Sequence, residues 1–298
     1  MYSIIARSTP ADQDIAMKQS GTFGVAHAGR PFIKMHGLLN HFVITDGREN
    51  PYQPSAREII DVCDPRTGVG GEQLIVVEPP RQSGADAFMR ILNIDGREVE
   101  ACGNATRCVA WLLMEEGQRD EIVLETLAGL IPCKRTGPLE VSCVMGRVTM
   151  DWRRIPLAEE RDTFHLDICS GPLEDAVALN IGNPHVVFFV DDVDAIDLTE
   201  FAPPIQKLAL FPDEVNVGIA ELVAPDYLRS RVYERGAGLT MACGTGACVA
   251  AYAALARGLT KSRSMTVSLR AGEVRIDIDD AGTATMTGPV AYCFSGSY

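Results

Sequence analysis

Ala101–Gly117 reads ACGNATRCVAWLLMEEG, and Ala242–Gly258 reads ACGTGACVAAYAALARG. The two segments align without a gap. Each opens Ala-Cys-Gly, closes on Gly, and carries an aromatic, Trp111 or Tyr252, at the same internal position. Each then passes through a short loop into a β-rich stretch that turns on Ala-Gly: IVLETLAGLIPCK at 122–134 and MTVSLRAGEVRID at 265–277. Chance can repeat a triplet but hardly the whole alignment with its flanks, so the chain has two structurally similar halves.

Each Ala-Cys-Gly segment reads as a loop entering a helix. Glycine after cysteine suits a tight backbone, and Val109, Leu112, Leu113 and Val249, Tyr252, Leu255 keep helical spacing. Gly117 and Gly258 serve as C-terminal stops. Around the helices the patterns are strand-like: FVITDG, EQLIVVEPP, FMRILNIDG, GRVTMDW, PHVVFFVDD, EVNVGIAEL and RSRVYERG. Many strands and one dominant helix per half imply an α+β protein of two domains related by a pseudo-two-fold axis, each a β-sheet wrapped around a central helix. The expected division is a weakly ordered extension at 1–31, a first domain at 32–146 with a C-terminal strand at about 289–298, and a second domain at 147–288.

Composition narrows the function. The 298 residues are 46% apolar and 22% charged, with a mean hydropathy of +0.05, ordinary for a globular protein. No apolar run approaches the roughly 18 residues that span a bilayer, and the first residues lack the apolar core of a signal peptide. A net charge of −13 speaks against nucleic-acid and anionic-membrane surfaces, which want clustered cations. The nine cysteines include no CxxC pair, against zinc-ribbon and thioredoxin readings, and cytoplasmic placement follows.

A cysteine at a helix start sits among unpaired N–H groups at the positive end of the dipole, which lowers a thiol pKa from its free value of about 8.5. The same N–H groups can donate to a carboxylate. Two such cysteines, Cys102 and Cys243, at equivalent places in facing halves would put one thiol on each face of a carbon between them. That arrangement inverts a stereocentre: one thiolate takes the α-proton, and the opposite thiol returns one to the other face. Cys108 and Cys248 fall inside the helices, and Cys63, Cys133, Cys143, Cys169 and Cys293 have no matching partner; all seven are read as core or incidental.

Six ordered motifs from Phe32 onward resemble diaminopimelate epimerases: KMHGLLNHFVITD (34–46), GVGGEQLIVVEPP (68–80), NIDGREVEACGNATRC (93–108), GNPHVVFFV (182–190), FPDEVNVGIAEL (211–222) and YERGAGLTMACGTGAC (233–248). The resemblance implies interconversion of LL- and meso-diaminopimelate, in lysine and peptidoglycan-precursor biosynthesis, by two thiols without pyridoxal phosphate, other cofactor or metal. It implies Cys102 and Cys243 as the catalytic pair. Asn40, Gln73, Gly103, Asn104, Gly244 and Thr245 would surround the reacting centre. Asn93, Asn183, Asn216 and Arg235 would take the distal carboxylate and Glu234 the distal ammonium, with His185 in support. The partner it implies is a small diamino dicarboxylate, with homodimerisation left open. Leu39, His41, Ala105, Thr106 and Leu239 depart from the commoner residues of these motifs, and those departures bear on loop geometry. Two other functions are weighed beside this one. A proline, hydroxyproline or other amino-acid racemase of the same fold typically shows His after the first Cys-Gly, where this chain has Asn104. A non-catalytic thiolate metal or redox protein has only its cysteine count in support.

Overall fold

The computed structural model describes residues 29–298, so all but the last three residues of the expected extension lie outside the described residues. The first half contains β1 (Pro31–Gly37), β2 (Asn40–Asp46), α1 (Ala56–Cys63), β3 (Gln73–Glu78), β4 (Ala87–Asn93), β5 (Glu98–Val99), α2 (Gly103–Gly117), β6 (Glu121–Thr126), β7 (Gly129–Gly137) and β8 (Glu140–Arg147). The second half repeats that order as β9 (Val177–Asn180), β10 (Pro184–Phe189), α3 (Leu198–Gln206), β11 (Asn216–Ala224), β12 (Tyr227–Glu234), β13 (Gly238–Leu239), α4 (Gly244–Ala256), β14 (Ser264–Leu269), β15 (Gly272–Ile278) and β16 (Thr283–Pro289). A last strand, β17 (Ala291–Ser297), follows.

The repeat extends to strand direction. β1–β2 is antiparallel, β2–β3 parallel, β3–β4 antiparallel, β4–β6 parallel, and β6–β7–β8 antiparallel. β9–β10, β10–β11, β11–β12, β12–β14 and β14–β15–β16 follow the same sequence of directions. The two closing strands, β8 and β16, pair antiparallel with each other. A two-fold relation demands this of a self-complementary contact. β17 breaks the symmetry by adding to β1.

Each long helix is enclosed by the strands of its own half, and the halves join through β8–β16 into one 17-stranded sheet. Ala105, Cys108, Val109, Leu113 and Met114 of α2 join the strands of the first half in one apolar cluster, and Ala247–Ala251, Ala253 and Ala254 of α4 do so in the second. Neither is amphipathic in the manner of a surface helix, because sheet residues meet it nearly all round. The alanines of α4 keep it slim enough for strands to pack closely.

Two local expectations change. GRVTMDW is not a strand: β8 ends at Arg147, Gly146 has a φ of 115°, and Thr149 makes only an isolated bridge to Asn180. Gly258 caps α4 in the left-handed region with φ 68°, but at the end of α2 that conformation falls to Gln118, φ 48°, one residue past Gly117. Cys133 and Cys143 are core residues as expected, neighbours across β7–β8 with their sulfurs 3.3 Å apart. The Leu39 departure falls in a tight turn. Leu38 and Leu39 form a two-residue hairpin with φ values of 52° and 61°, a conformation that favours Gly or Asn. Leu38 holds it by burying its side chain in the apolar cluster of the opposite half.

Candidate active site

Cys102 and Cys243 are the N-cap residues of α2 and α4, both with extended backbone before the first helical turn. The two helix starts meet. Asn104 Nδ2 donates to the carbonyl of Ala242 at 3.4 Å, crossing between the halves. A Cβ on Gly103 would lie 2.7 Å from the Met145 methyl and 2.8 Å from that of Met286, and one on Gly244 would lie 3.0 Å from Met286. A side chain after either cysteine would crowd the flexible ends of Met145 and Met286 where the two helix ends converge.

The sulfurs are held differently. Cys102, partly exposed, makes no side-chain cap; its thiol faces Asn40 Oδ1 at 3.7 Å, and Asn104 Nδ2 reaches the same oxygen at 3.2 Å. Asn40 Nδ2 donates in turn to the Glu72 carboxylate. Cys243, 5% exposed, accepts from the Gly246 N–H at 3.4 Å and lies 3.5 Å from Thr245 Oγ1. Behind Thr245 is His185, fully buried, with Nε2 3.1 Å from Thr245 Oγ1, 3.1 Å from Asn183 Oδ1 and 3.3 Å from Asn216 Nδ2.

The negative charge of Glu234 acts on both thiols, and Thr240 donates to its Oε1. Electrostatics overturn one expectation. Burial pushes the Cys102 thiol up to about 11 and Cys243 well above its ordinary value, with Glu234 adding to both. Backbone N–H groups of Asn104 and Ala105 at Cys102, and of Gly246 at Cys243, act in the other direction. Desolvation outweighs the helix start. Burial, with the nearby Arg235 charge, pulls His185 down to about 3, so its ring is neutral. Burial raises the carboxyl of Glu234, and that of Glu72 likewise.

The remaining expected residues separate into groups. Asn216 Oδ1 accepts from the Arg235 N–H at 2.8 Å, placing both beside His185 and Asn183. The Arg235 side chain is exposed, with Nη1 donating to the Asp213 carbonyl at 2.7 Å. Asn93 accepts from Gln73 Nε2 at 2.8 Å and has no bond to Asn183, Asn216 or Arg235. Among the described residues no three metal-ligating side chains converge. Glu72 and Arg107 escaped the sequence reading. Both lie inside quoted motifs, one beside Gln73 and the other five residues after Cys102, but neither has a repeat counterpart of its own type to mark it.

The diaminopimelate epimerase family model matches residues 32–150 and 177–293. The gap covers the irregular segment between β8 and β9. A diaminopimelate epimerase of Phenylobacterium zucineum is 48% identical over 275 residues, 91% of this chain and 98% of that one. One of Rhodospirillum centenum is 46% identical over 267 residues, 90% and 91% of the two chains. Among solved structures, a predicted epimerase of Pseudomonas aeruginosa superposes with a TM-score of 0.64 at 13% identity, over 90% of this chain and 99% of that one, which concerns the fold.

Proposed function

The chain belongs to the diaminopimelate epimerase family, and from that premise we propose that Cys102 and Cys243 are the acid and base that interconvert LL- and meso-diaminopimelate. The observation that carries the assignment is the convergence of two helix starts, each with a cysteine at its N-cap, where Asn104 beside one cysteine donates to the Ala242 carbonyl beside the other.

The chemistry follows from the geometry. An α-carboxylate set against the N–H groups that open α2 and α4 is neutralised by two helix ends at once, without a mobile counter-ion. The α-carbon then lies between the sulfurs. One thiolate removes the proton, the fixed N–H dipoles hold the developing carbanionic charge, and the other thiol donates to the opposite face. High thiol pKa values suit the acid and oppose the base, so the base must be generated as the substrate's charges enter. An α-ammonium near the sulfurs favours a thiolate. Asn93, Asn183, Asn216 and Arg235 take the distal carboxylate and Glu234 the distal ammonium, with Gln73 holding Asn93; Asn40 and Asn104 line the reacting side. His185 stays neutral and orients Asn183 and Thr245. The division into 32–146 with 289–298, and 147–288, belongs to the same reading and is supported by β17 lying on β1. Free thiols must persist for turnover, and we place the enzyme in the reducing cytoplasm.

Incubation with LL-diaminopimelate in deuterium oxide, under reductant and without added cofactor, should yield meso product with one α-deuterium. Cys102→Ala and Cys243→Ala should each slow epimerisation by about 10²–10⁴, the usual weight of a positioned proton-transfer group. Full activity in either variant defeats the two-base assignment, and turnover of proline with none of diaminopimelate defeats the substrate.

A further inference from the structure

Arg107, in the second turn of α2, is the bulkiest fully buried side chain among the described residues. Its Nη2 donates to Asn104 Oδ1 at 2.8 Å, its Nη1 faces the Met286 sulfur at 3.2 Å, and its Nε has no hydrogen-bond partner. Among the described residues no carboxylate pairs with it. The titratable groups that face it are thiols: Cys102, Cys108 on its own helix, Cys143 of β8 and Cys248 of α4. The backbone makes room for it, since a Cβ on Gly37 would come within 3.1 Å of Nη2 and one on Gly288 within 3.3 Å of Nε.

A guanidinium does not lose its proton in proteins, and burying a charge with no counter-ion is costly. Both surrounding helices open with their positive ends toward the same region, so the cation is not there to balance them. It sits where the reaction needs an anion held, behind Cys102 and Asn104.

We propose that Arg107 is a positioning residue of the epimerisation: a fixed, buried cation that locks the Asn104 amide and supplies the positive potential in which Cys102 becomes a thiolate. The lock is geometric. With Oδ1 held by Arg107, Asn104 must turn Nδ2 toward Asn40 Oδ1 and the Ala242 carbonyl, tying the two helix starts together. The potential opposes the other charged groups near Cys102, namely Glu234 of β12 and, beyond Asn40 of β2, Glu72. The proposal rests on Cys102 belonging to the catalytic pair.

The test separates charge from hydrogen bonding. Arg107→Gln can still donate to Asn104 but carries no charge; Arg107→Lys keeps the charge. The readout is iodoacetamide labelling of Cys102 against pH, quantified on the Cys102 peptide, alongside kcat and KM. Arg107→Gln should move the Cys102 labelling midpoint up by about one pH unit, a tenfold loss of thiolate at fixed pH. kcat/KM should fall at least as far, and Arg107→Lys should restore most of the midpoint. An unchanged midpoint in folded Arg107→Gln overturns the proposal. Should that variant not fold, Met286→Glu neutralises the cation in place, with Met286→Gln as its control. A higher midpoint for Glu than for Gln is expected, and coincident profiles overturn the idea. Labelling does not depend on turnover, so full activity of Cys102→Ala would defeat the catalytic pair while leaving the midpoint shift to be judged separately.

Discussion

The strands that support the two cysteines can be matched residue by residue. In the first half Phe42 of β2 opens the parallel ladder opposite Gln73, and in the second His185 of β10 opens it opposite Asn216. Two residues earlier in each case stands an asparagine, Asn40 or Asn183. The backbone has thus kept one frame while its chemistry has diverged. At Cys102 the asparagine faces the sulfur directly and is held by Glu72. At Cys243 the asparagine is set back behind Thr245 and fixed by a buried imidazole. The acid Glu72 corresponds to the fully buried Val215. A symmetric pair of thiols suits a reaction that runs both ways, whereas the substrate has a second, unreactive end to be recognised. The halves keep symmetry at the sulfurs and lose it in the side chains that surround them, where the proposed reading puts the distal carboxylate and ammonium.

The comparison can be broken most severely at His185. A buried imidazole with a pKa of about 3 is neutral in the folded chain, whereas in the unfolded chain it protonates below about 6.5. The unfolded state therefore binds the extra proton, and stability present above pH 6.5 is lost as pH falls toward 3, on the order of 5 kcal/mol in all. Denaturant unfolding at stepped pH should show this slope in the parent. His185→Phe, which gives the second half the residue of the first, should flatten it. A parent curve level from pH 6.5 to 4 would remove the buried neutral imidazole from the account.

A smaller effect sharpens the difference between the thiols. Asn40→Ala should change the alkylation rate of Cys102 about tenfold and leave Cys243 alone, while Thr245→Val should do the reverse, each removing about 1–1.5 kcal/mol of hydrogen bonding. Equal effects at both sulfurs from either variant would show that the supports are shared. The smallest effect lies at the far ends of the helices. α4 closes on Gly258, but α2 makes Gln118 adopt the left-handed conformation. Gln118→Gly should raise thermal stability by about 0.5–1 kcal/mol, and Gly258→Ala should lower it by a similar amount. A destabilised Gln118→Gly would mean that the side chain is needed there for contacts.

The sequence alone determined the duplication, the two central helices, the cysteine at each helix start and the glycine beside it. All are local or repeated signals: a helix cap is decided within a few residues, and a repeat is visible on alignment. The fate of GRVTMDW was not legible because β8 gives way to irregular chain at a junction between halves, where alternation of apolar residues no longer means pairing. Only the tertiary structure decided the state of the thiols. Local dipoles favour the charged form at both cysteines, but burial and Glu234, contributed by a strand far along the chain, push the other way and win. The same reason hid Arg107 and Glu72, whose meaning lies in what surrounds them. Desolvation and Coulomb forces depend on distance through space, and spacing along the chain does not record it.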